Sequence, residues 1–386
     1  MSAAHAKTGR KSPKEALLCA FIVMKCESFS QITDLCDYLN NNLLIAHYCG
    51  FDITKPLPSY WTFDRFIRKL GNQILKDVMQ GQVAKLAKVG IIDTSFVGLD
   101  STPVAANTSL NNRKSFKKPS KDEKPKSDKD CMLGARAASN QHTEKNYEFY
   151  WGYKNHVLVD CITGLPIYEL TTTADVKDHA VAPEILEQTN KFLPIRECSF
   201  IADKGYDAKI IYNTVRNVYD GECFIPINPR NTKNPKLLPV GNPICDAGFA
   251  MLRDGTFSDR GKTRQKFCCP FKRTSHKNDC PINHKSFKKG RNTGCTKYIT
   301  IPDDYRLSIN RDTVQFKEVY SLRTECERYN SRFKSTGQER LWVRNKKSAQ
   351  NLNTIAHISL LAVAVAAIVT QSKLSYRQLK SLARAA

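Results

Sequence analysis

The spacing of hydrophobic and polar positions predicts helices in the first part of the chain. Apolar residues recur every three or four positions in residues 16–39 and again in 61–89, which is the period of amphipathic helices. Pro56 and Pro58 separate the two stretches. We predict a helical region over residues 1–90. It fits a DNA-binding domain and an ordinary helical packing domain equally well, because short helices with surface lysines are common.

After residue 90 the pattern changes to short strands that alternate with helices. Strands are predicted at 96–105, 148–159, 165–172 and 198–202, and helices at 178–191, 208–218, 315–334 and 347–367. This order predicts an α/β fold in which a mixed sheet is flanked by helices.

Two segments interrupt this order and define the predicted domains. Residues 111–130 contain eight Lys/Arg and four Asp/Glu, which predicts a flexible charged linker. Residues 228–297 contain 16 Lys/Arg against four Asp/Glu, a balance of +12, and include several cysteines. The predicted domains are a helical region at 1–90, a core at 91–227 and 301–370, a basic cysteine-rich insertion at 228–300, and a basic tail at 371–386.

The overall charge indicates a polyanionic partner. The chain has 386 residues with 60 Lys+Arg and 37 Asp+Glu, a formal net charge of +23. Such a charge favours phosphate-rich ligands, because cationic side chains displace condensed counterions; the alternative is that the charge serves solubility.

Two apolar runs are candidates for targeting or membrane segments, and we reject both. The run Ala16–Met24 follows a basic stretch but is closed by Lys25 and Glu27 without a small-residue cleavage site. The run Ile355–Val369 is too short for about 30 Å of hydrocarbon, which favours a buried helix. We expect no membrane association, a cytoplasmic location and reduced thiols.

Two aspartates lie within or at the end of predicted apolar strands, where acids are costly unless they have a function. Asp100 interrupts the apolar strand 96–104, and Asp203 follows Phe200-Ile201-Ala202 directly. Acids at strand ends commonly face the crevice where α/β sheets bind ligands. For either aspartate alone, a turn or helix-cap role is the alternative.

A third candidate acid comes from the helix predicted at 315–334. At about 100° per residue, one stripe roughly 60° wide contains Tyr320, Arg323, Glu327 and Lys334. Glu325 falls on the far side, on a face that we expect to be solvated. The stripe therefore selects Glu327 over Glu325.

These residues together resemble a known enzyme family. Asp100 lies in Leu-Asp-Ser-Thr, Asp203 lies in Ala-Asp-Lys-Gly-Tyr-Asp, and the helix carries Tyr320-x2-Arg323-x3-Glu327-x6-Lys334. The chain is similar, over about residues 90–365, to the DDE transposases of bacterial insertion sequences, including their Tyr-Arg-Glu-Lys signature.

The resemblance implies a fold and a chemistry. It implies a ribonuclease H-like fold with Asp100 on the first strand, Asp203 on the fourth and Glu327 on a helix. It further implies that these acids hold two Mg²⁺ or Mn²⁺ ions for cleavage at element ends and strand transfer into target DNA. The implied partners are inverted-repeat ends, target DNA and a second copy of the chain in a synaptic complex. The implied setting is a bacterial, nucleoid-associated one.

The resemblance also suggests residues that hold DNA. Tyr320, Arg323 and Lys334 would contact the DNA end. Lys204 and Tyr206, beside Asp203, are further candidates for DNA contact, and the alternative is that they are exposed turn residues. The segment Trp-Gly-Tyr-Lys-Asn-His adds candidates for base stacking or backbone contact, for which packing of the sheet is the alternative: Trp151, Tyr153, Lys154 and His156.

The cysteine-rich insertion suggests a structural zinc site, since thiolate and imidazole are zinc ligands in a reduced compartment. Its spacings are irregular, so free thiols are the alternative. The candidate ligands are Cys245, Cys268, Cys269, Cys280, His284 and Cys295.

Other functions compete with a transposase. The same acids would support a ribonuclease H-like nuclease without strand transfer, and a transposon-derived protein that binds DNA without catalysis is a further alternative. A zinc-dependent hydrolase is disfavoured, because the sequence has no His-Glu-x-x-His pattern.

Overall fold

The computed structural model describes residues 13–112, 118–119, 123–137, 147–228, 237–273, 280–282, 294–301, 305–370 and 377. Parts of the predicted linker 111–130, and all of the predicted tail 371–386 except residue 377, lie outside these residues.

The helices agree with most of the predicted ones. They are α1 (Lys14–Cys26), α2 (Ile32–Asn41), α3 (Leu43–Tyr48), α4 (Tyr60–Lys69), α5 (Asn72–Lys88), α6 (Asp178–Asn190), α7 (Lys209–Tyr219), α8 (Tyr305–Ser308), α9 (Val314–Ser321), α10 (Thr324–Phe333) and α11 (Lys346–Val369). The strands are β1 (Phe96–Ala105), β2 (Met132–Ala137), β3 (Tyr147–Asp160), β4 (Pro166–Thr173), β5 (Ser199–Ala202), β6 (Glu222–Phe224), β7 (Leu252–Asp259), β8 (Lys262–Cys268) and β9 (Thr296–Thr300).

Six strands form a mixed sheet in the order β2-β3-β1-β5-β6, with β4 paired to β3. β1 with β5 and β5 with β6 are parallel, whereas β2 with β3 and β3 with β4 are antiparallel. The predicted fold class, a mixed sheet flanked by helices, is confirmed. β2 was not predicted, so Asp203 follows the fifth strand in chain order and not the fourth.

The chain forms two compact units that differ from the predicted domains. The first contains residues 1–93, 101–176 and 327–386, and the second contains residues 94–100 and 177–326. The N-terminal helices α1, α4 and α5 pack on α11 within the first unit.

The first unit is built around α11. This helix contacts α5, α1 and α4, and it also packs on β4. By length and composition it is apolar enough to cross a membrane, but 72% of its most apolar 18-residue window is buried within the protein. It is therefore a core helix, in agreement with the sequence prediction.

A buried ion pair connects α5 to the sheet in this unit. Lys76 Nζ lies 2.5 Å from Glu169 Oε1, and their side chains are 8% and 1% exposed. Glu169 also accepts hydrogen bonds from Thr354 and Asn155, both at 2.7 Å. Burial alone would raise the pKa of Glu169, but Lys76 and the hydrogen bonds outweigh it and leave that pKa below its ordinary value.

Lys25 near the end of α1 makes the stability of the protein depend on pH. It is 1% exposed, and burial lowers its pKa from 10.5 to about 7. Between these values the unfolded chain binds the proton more tightly, so stability falls as the pH drops from 10.5 to 7 and levels off below that. We expect Lys25→Met to stabilise the protein by on the order of 2 kcal/mol at pH 7, measured by urea unfolding.

The matched control is Lys14→Met, because Lys14 begins the same helix and is exposed. It should change the stability by less than about 0.5 kcal/mol. Equal stability of wild type and Lys25→Met from pH 7 to 10 would contradict the assignment of this pH dependence to Lys25.

Candidate active site

The two predicted aspartates lie side by side where the parallel pairing of β1 with β5 ends: Asp100 lies within β1, and Asp203 directly follows β5. In the register of β1 with β5, Leu99 pairs with Ala202. Asp100 and Asp203 are the next residues on the two strands. Since neighbouring strands lie about 4.8 Å apart, both carboxylates belong to the same edge of the sheet. This is the edge where parallel sheets bind their ligands.

A tight turn after β5 fixes the carboxylate of Asp203. Residues Lys204–Tyr206 form one turn of 3₁₀-helix, and Asp203 Oδ1 accepts a hydrogen bond of 2.7 Å from the Gly205 amide. A Cβ atom at Gly205 would lie 2.9 Å from that same oxygen. Glycine at this position therefore lets the amide approach the carboxylate.

If Asp203 holds a metal ion for DNA cleavage, as the family resemblance implies, Gly205→Ala should reduce cleavage by roughly 10²-fold, because the added methyl group displaces the Asp203 carboxylate and small displacements of reacting groups have effects of this size. The measurement is the cleavage rate of an element-end substrate with Mg²⁺, with thermal melting as the check on folding.

Gly81→Ala is the matched control, since no atom lies within 4 Å of a Cβ at Gly81 inside α5. It should cleave at the wild-type rate. A folded Gly205→Ala protein with wild-type cleavage would show that the position of the Asp203 carboxylate is not critical.

Tyr206 and Lys204 differ in exposure. Lys204 is exposed, as expected for a turn residue. Tyr206 is 1% exposed, so the alternative in which it is merely an exposed turn residue is wrong. Within the described residues its hydroxyl makes no hydrogen bond. Burial, and then the nearby charges of Asp100, Asp178 and Asp203, raise the pKa of Tyr206 well above its ordinary value. Its neutral hydroxyl therefore lies close to the acidic edge.

A cavity of about 500 Å³ opens beside Asp203 in the second unit. Arg323 connects this cavity with Asp100. It lines the cavity, and its Nη2 lies 4.0 Å from Asp100 Oδ2. The cavity combines one acid, four cationic side chains and an apolar wall: Asp203, Lys204, Arg311, Lys317, Arg323, Tyr320, Phe316, Pro226, Pro239 and Val240. The structure thus brings the predicted Lys204, Tyr320 and Arg323 to the same cavity as Asp203.

Arg311 is a residue of this site that the sequence analysis missed. It is 1% exposed, its Nε donates to the Ile225 carbonyl at 2.7 Å, and its Nη2 donates to the Tyr212 hydroxyl at 3.0 Å. It therefore fixes the floor of the cavity. A single arginine in a loop has no sequence signal that distinguishes it from a surface arginine.

The helix predicted at 315–334 is divided into two helices, so its residues do not share continuous faces. α9 ends at Ser321 and α10 begins at Thr324, with i to i−3 hydrogen bonds at Leu322 and Arg323. Such a turn advances by more than 100° per residue, so the predicted stripe is not continuous. Glu325 is 7% exposed and Glu327 is exposed. The prediction that Glu325 belongs to a solvated face is wrong.

Glu327 and Lys334 belong to the first unit. Glu327 lies in the first turn of α10, four residues after Arg323. Lys334 is half-buried at the start of a π-helical turn, Lys334–Gln338. Their roles beside Asp100 and Asp203 remain predictions.

The aromatic candidates of β3 are core residues. Trp151, Tyr153 and His156 are 4%, 0% and 0% exposed. Tyr153 donates to Asp128 at 2.9 Å, and the His156 ring is hydrogen-bonded to Thr172 at 2.9 Å. Lys154 is half-buried and donates to the Val176 carbonyl. Stacking of these rings on a splayed base is therefore wrong for this structure, in which they pack the sheet.

The six candidate zinc ligands are not all together. Cys245, Cys269 and Cys295 share one buried cluster, whereas Cys268 lies outside it and His284 is outside the described residues. Cys280 is 8% exposed. Across the part of the chain that the structure describes, no group of three or more His, Cys, Asp or Glu side chains has the arrangement of a metal site.

The donors at the sheet edge nevertheless fit a hard divalent cation. Asp100 and Asp203 offer carboxylate oxygens, the donors that Mg²⁺ and Mn²⁺ prefer, and their side chains remain accessible. Neither sulfur nor imidazole is among the described residues that line the adjacent cavity.

Comparison with known proteins identifies the family. Residues 87–362 match the Transposase DDE domain family. A solved structure of the piggyBac transposase synaptic complex with hairpin DNA is similar at 12% identity and a TM-score of 0.44, covering 98% of this chain and 71% of that one. The Mos1 transposase paired-end complex with left transposon end shows 13% identity and a TM-score of 0.19 over 58% of this chain and 61% of that one. No curated protein matches the sequence. Because the family match spans more than half of its residues, the chain belongs to the Transposase DDE domain family.

Proposed function

We propose that this transposase cleaves DNA at element ends and joins the freed ends to target DNA at the edge formed by β1 and β5. The observation that supports this most strongly is the register of the two strands, which sets Asp100 beside Asp203. Arg323, next to Asp100, adds a cation where a scissile phosphate would bind.

Glu327 is proposed as the third acid. It follows Arg323 by four positions in the signature Tyr320-x2-Arg323-x3-Glu327-x6-Lys334. That signature, together with the ion pair of Arg323 with Asp100, supports Glu327 as the third acid. Glu325 is the weaker candidate, since it is 7% exposed.

Asp100, Asp203 and Glu327 are proposed to hold two Mg²⁺ or Mn²⁺ ions. Such ions, when bound, stabilise the attacking and leaving oxygens of an in-line displacement at phosphorus. The protein contributes the placement of the carboxylates, with Gly205 fixing that of Asp203. Water attacks first, and the freed 3′-hydroxyl then attacks the target strand, so no covalent link between DNA and protein forms.

The cavity beside Asp203 is proposed to hold the DNA end. Lys204, Lys317 and Arg323 present cations for backbone phosphates. Tyr320 stacks on Phe316, with ring centroids 6.0 Å apart and an interplanar angle of 18°. This aromatic and proline-lined wall suits the apolar faces of a terminal base or sugar. Lys334 is proposed as a further phosphate contact.

The partners are proposed to be two transposon ends, target DNA and a second copy of the chain. The similar piggyBac structure is a synaptic complex with hairpin DNA, and the Mos1 structure is a paired-end complex. A pair of subunits would likewise bridge two ends here.

The test is incubation with Mg²⁺ and a supercoiled donor plasmid that carries the parent element's ends. Excised and joined products support the transposase, whereas cleavage without joining supports a nuclease. Retention of DNA without any cleavage would support a non-catalytic DNA-binding protein and overturn the proposal.

Glu327→Gln should abolish the products while retaining end binding. Its matched control is Glu318→Gln, because Glu318 is an exposed glutamate on the neighbouring helix α9. Equal activity of the Glu327→Gln and Glu318→Gln proteins would remove Glu327 from the proposed site.

A further inference from the structure

The small sheet β7–β9 contains buried thiols that the proposed DNA chemistry does not use. Cys245, Cys269 and Cys295 cluster with Met251 and Phe267 in a buried core of five residues. A core of this size contributes little hydrophobic stabilisation, and small structural units commonly depend on a metal or a crosslink for that reason.

Cys269 and Cys295 are neighbours across two antiparallel strands. The register of β8 with β9 pairs Cys268 with Thr296, and the Cys269 amide donates to the Cys295 carbonyl at 3.0 Å. The Cys269 and Cys245 thiols both lie close enough to Cys295 to raise its pKa. Tetrahedral zinc with Zn–S bonds of about 2.3 Å requires sulfur atoms about 3.8 Å apart, which a cross-strand pair can provide.

Cys245 supplies a third sulfur from a tight turn. The Gly248 amide donates to the Cys245 carbonyl at 3.0 Å, with Gly248 at a φ of +87°, and the Phe249 amide donates to Cys245 Sγ at 3.3 Å. An amide that points at sulfur stabilises the charge of a thiolate. Lys297 lies next to this turn, since its ammonium donates to the Ile244 carbonyl at 2.7 Å.

The cluster shields its three thiols from solvent. Burial, together with Cys269 and Cys245, raises the pKa of Cys295 to about 12. Reactive cysteines have lowered pKa values, so this thiol does not have the character of a nucleophile or redox sensor. A soft divalent cation would displace the protons and take the thiolates as ligands.

We propose that Cys245, Cys269 and Cys295, with Cys280 as the fourth donor, bind one structural zinc ion that stabilises the β7–β9 sheet. Cys280 is 8% exposed and follows Cys269 by eleven residues. The described residues contain no ready-made site, so the four sulfurs must close around the ion as it binds. This coupling of binding to local folding is typical of small zinc-binding units. The site is separate from the carboxylates proposed for catalysis.

The test uses the full-length protein, purified under reducing conditions without chelator. We expect about one zinc ion per chain by elemental analysis. After zinc removal, added Co²⁺ should give the near-ultraviolet thiolate-to-cobalt absorption. Cys269→Ser and Cys295→Ser should each lose most of the bound zinc. Cys268→Ser should keep it, because Cys268 is equally buried next to Cys269 but lies outside the cluster.

Absence of both zinc and the cobalt absorption in the wild-type protein would overturn the proposal. The proposal would also be overturned if Cys268→Ser lost as much zinc as Cys269→Ser, because the loss of zinc would then follow from disturbed packing. If the serine variants do not fold, the cobalt titration of metal-stripped wild type decides alone. The assay contains no DNA, and Glu327→Gln should retain full zinc, so its outcome is independent of the proposed cleavage.

Discussion

Asp203→Asn is expected to lower DNA cleavage by at least about 10³-fold, because the proposed metal site loses one charged ligand and the proposed reaction depends on charge stabilisation worth several kcal/mol. The turn should survive, since the asparagine oxygen can still accept the hydrogen bond from the Gly205 amide. Cleavage of an end-labelled substrate with Mg²⁺ measures the effect.

Asp220→Asn is the control for Asp203→Asn. Asp220 is an exposed acid at the end of α7 with a φ of 52°, a conformation that asparagine adopts readily. It should leave the cleavage rate unchanged. An Asp203→Asn protein that cleaves within tenfold of wild type would exclude Asp203 from the metal site.

Glu169→Gln is expected to destabilise the first unit by about 3–5 kcal/mol, because it leaves the Lys76 ammonium buried without its counter-charge. The loss includes weaker hydrogen bonds from Thr354 and Asn155. Urea unfolding at pH 7 measures the free energy of unfolding.

The comparison variant is Glu187→Gln, which breaks the exposed ion pair of Glu187 with Lys191 on α6. Exposed pairs contribute about 0–1 kcal/mol, so this change should be small. A similarly small change for Glu169→Gln would show that the buried pair does not hold α5 to the sheet.

The two aspartates at the sheet edge were predictable from sequence, and they form much of the candidate site. An acid within an apolar strand or directly after one has few structural reasons to be there, and this signal found Asp100 within β1 and Asp203 after β5. Their register could not be predicted, because it depends on the pairing of β1 with β5. The position of Gly205 against the Asp203 carboxylate likewise required coordinates.

The prediction from hydrophobic periodicity was wrong where a helix is interrupted without a proline or glycine. Neither proline nor glycine marks the turn at Leu322–Arg323, so a single helix was predicted and Glu325 was assigned to the wrong environment. β2 was missed because its pairing with β3 supplies the order that its own sequence does not indicate. Trp151 and Tyr153 are buried by tertiary packing. The sequence indicated such packing of the sheet only as the alternative to base stacking.

Binding of Mn²⁺, measured by calorimetry without DNA, tests most directly whether the three acids form one centre. Wild type should bind the ion, while Asp100→Asn, Asp203→Asn and Glu327→Gln should each weaken binding by at least tenfold and Asp220→Asn should not. Wild-type affinity in the Glu327→Gln protein would contradict a shared site for the three carboxylates.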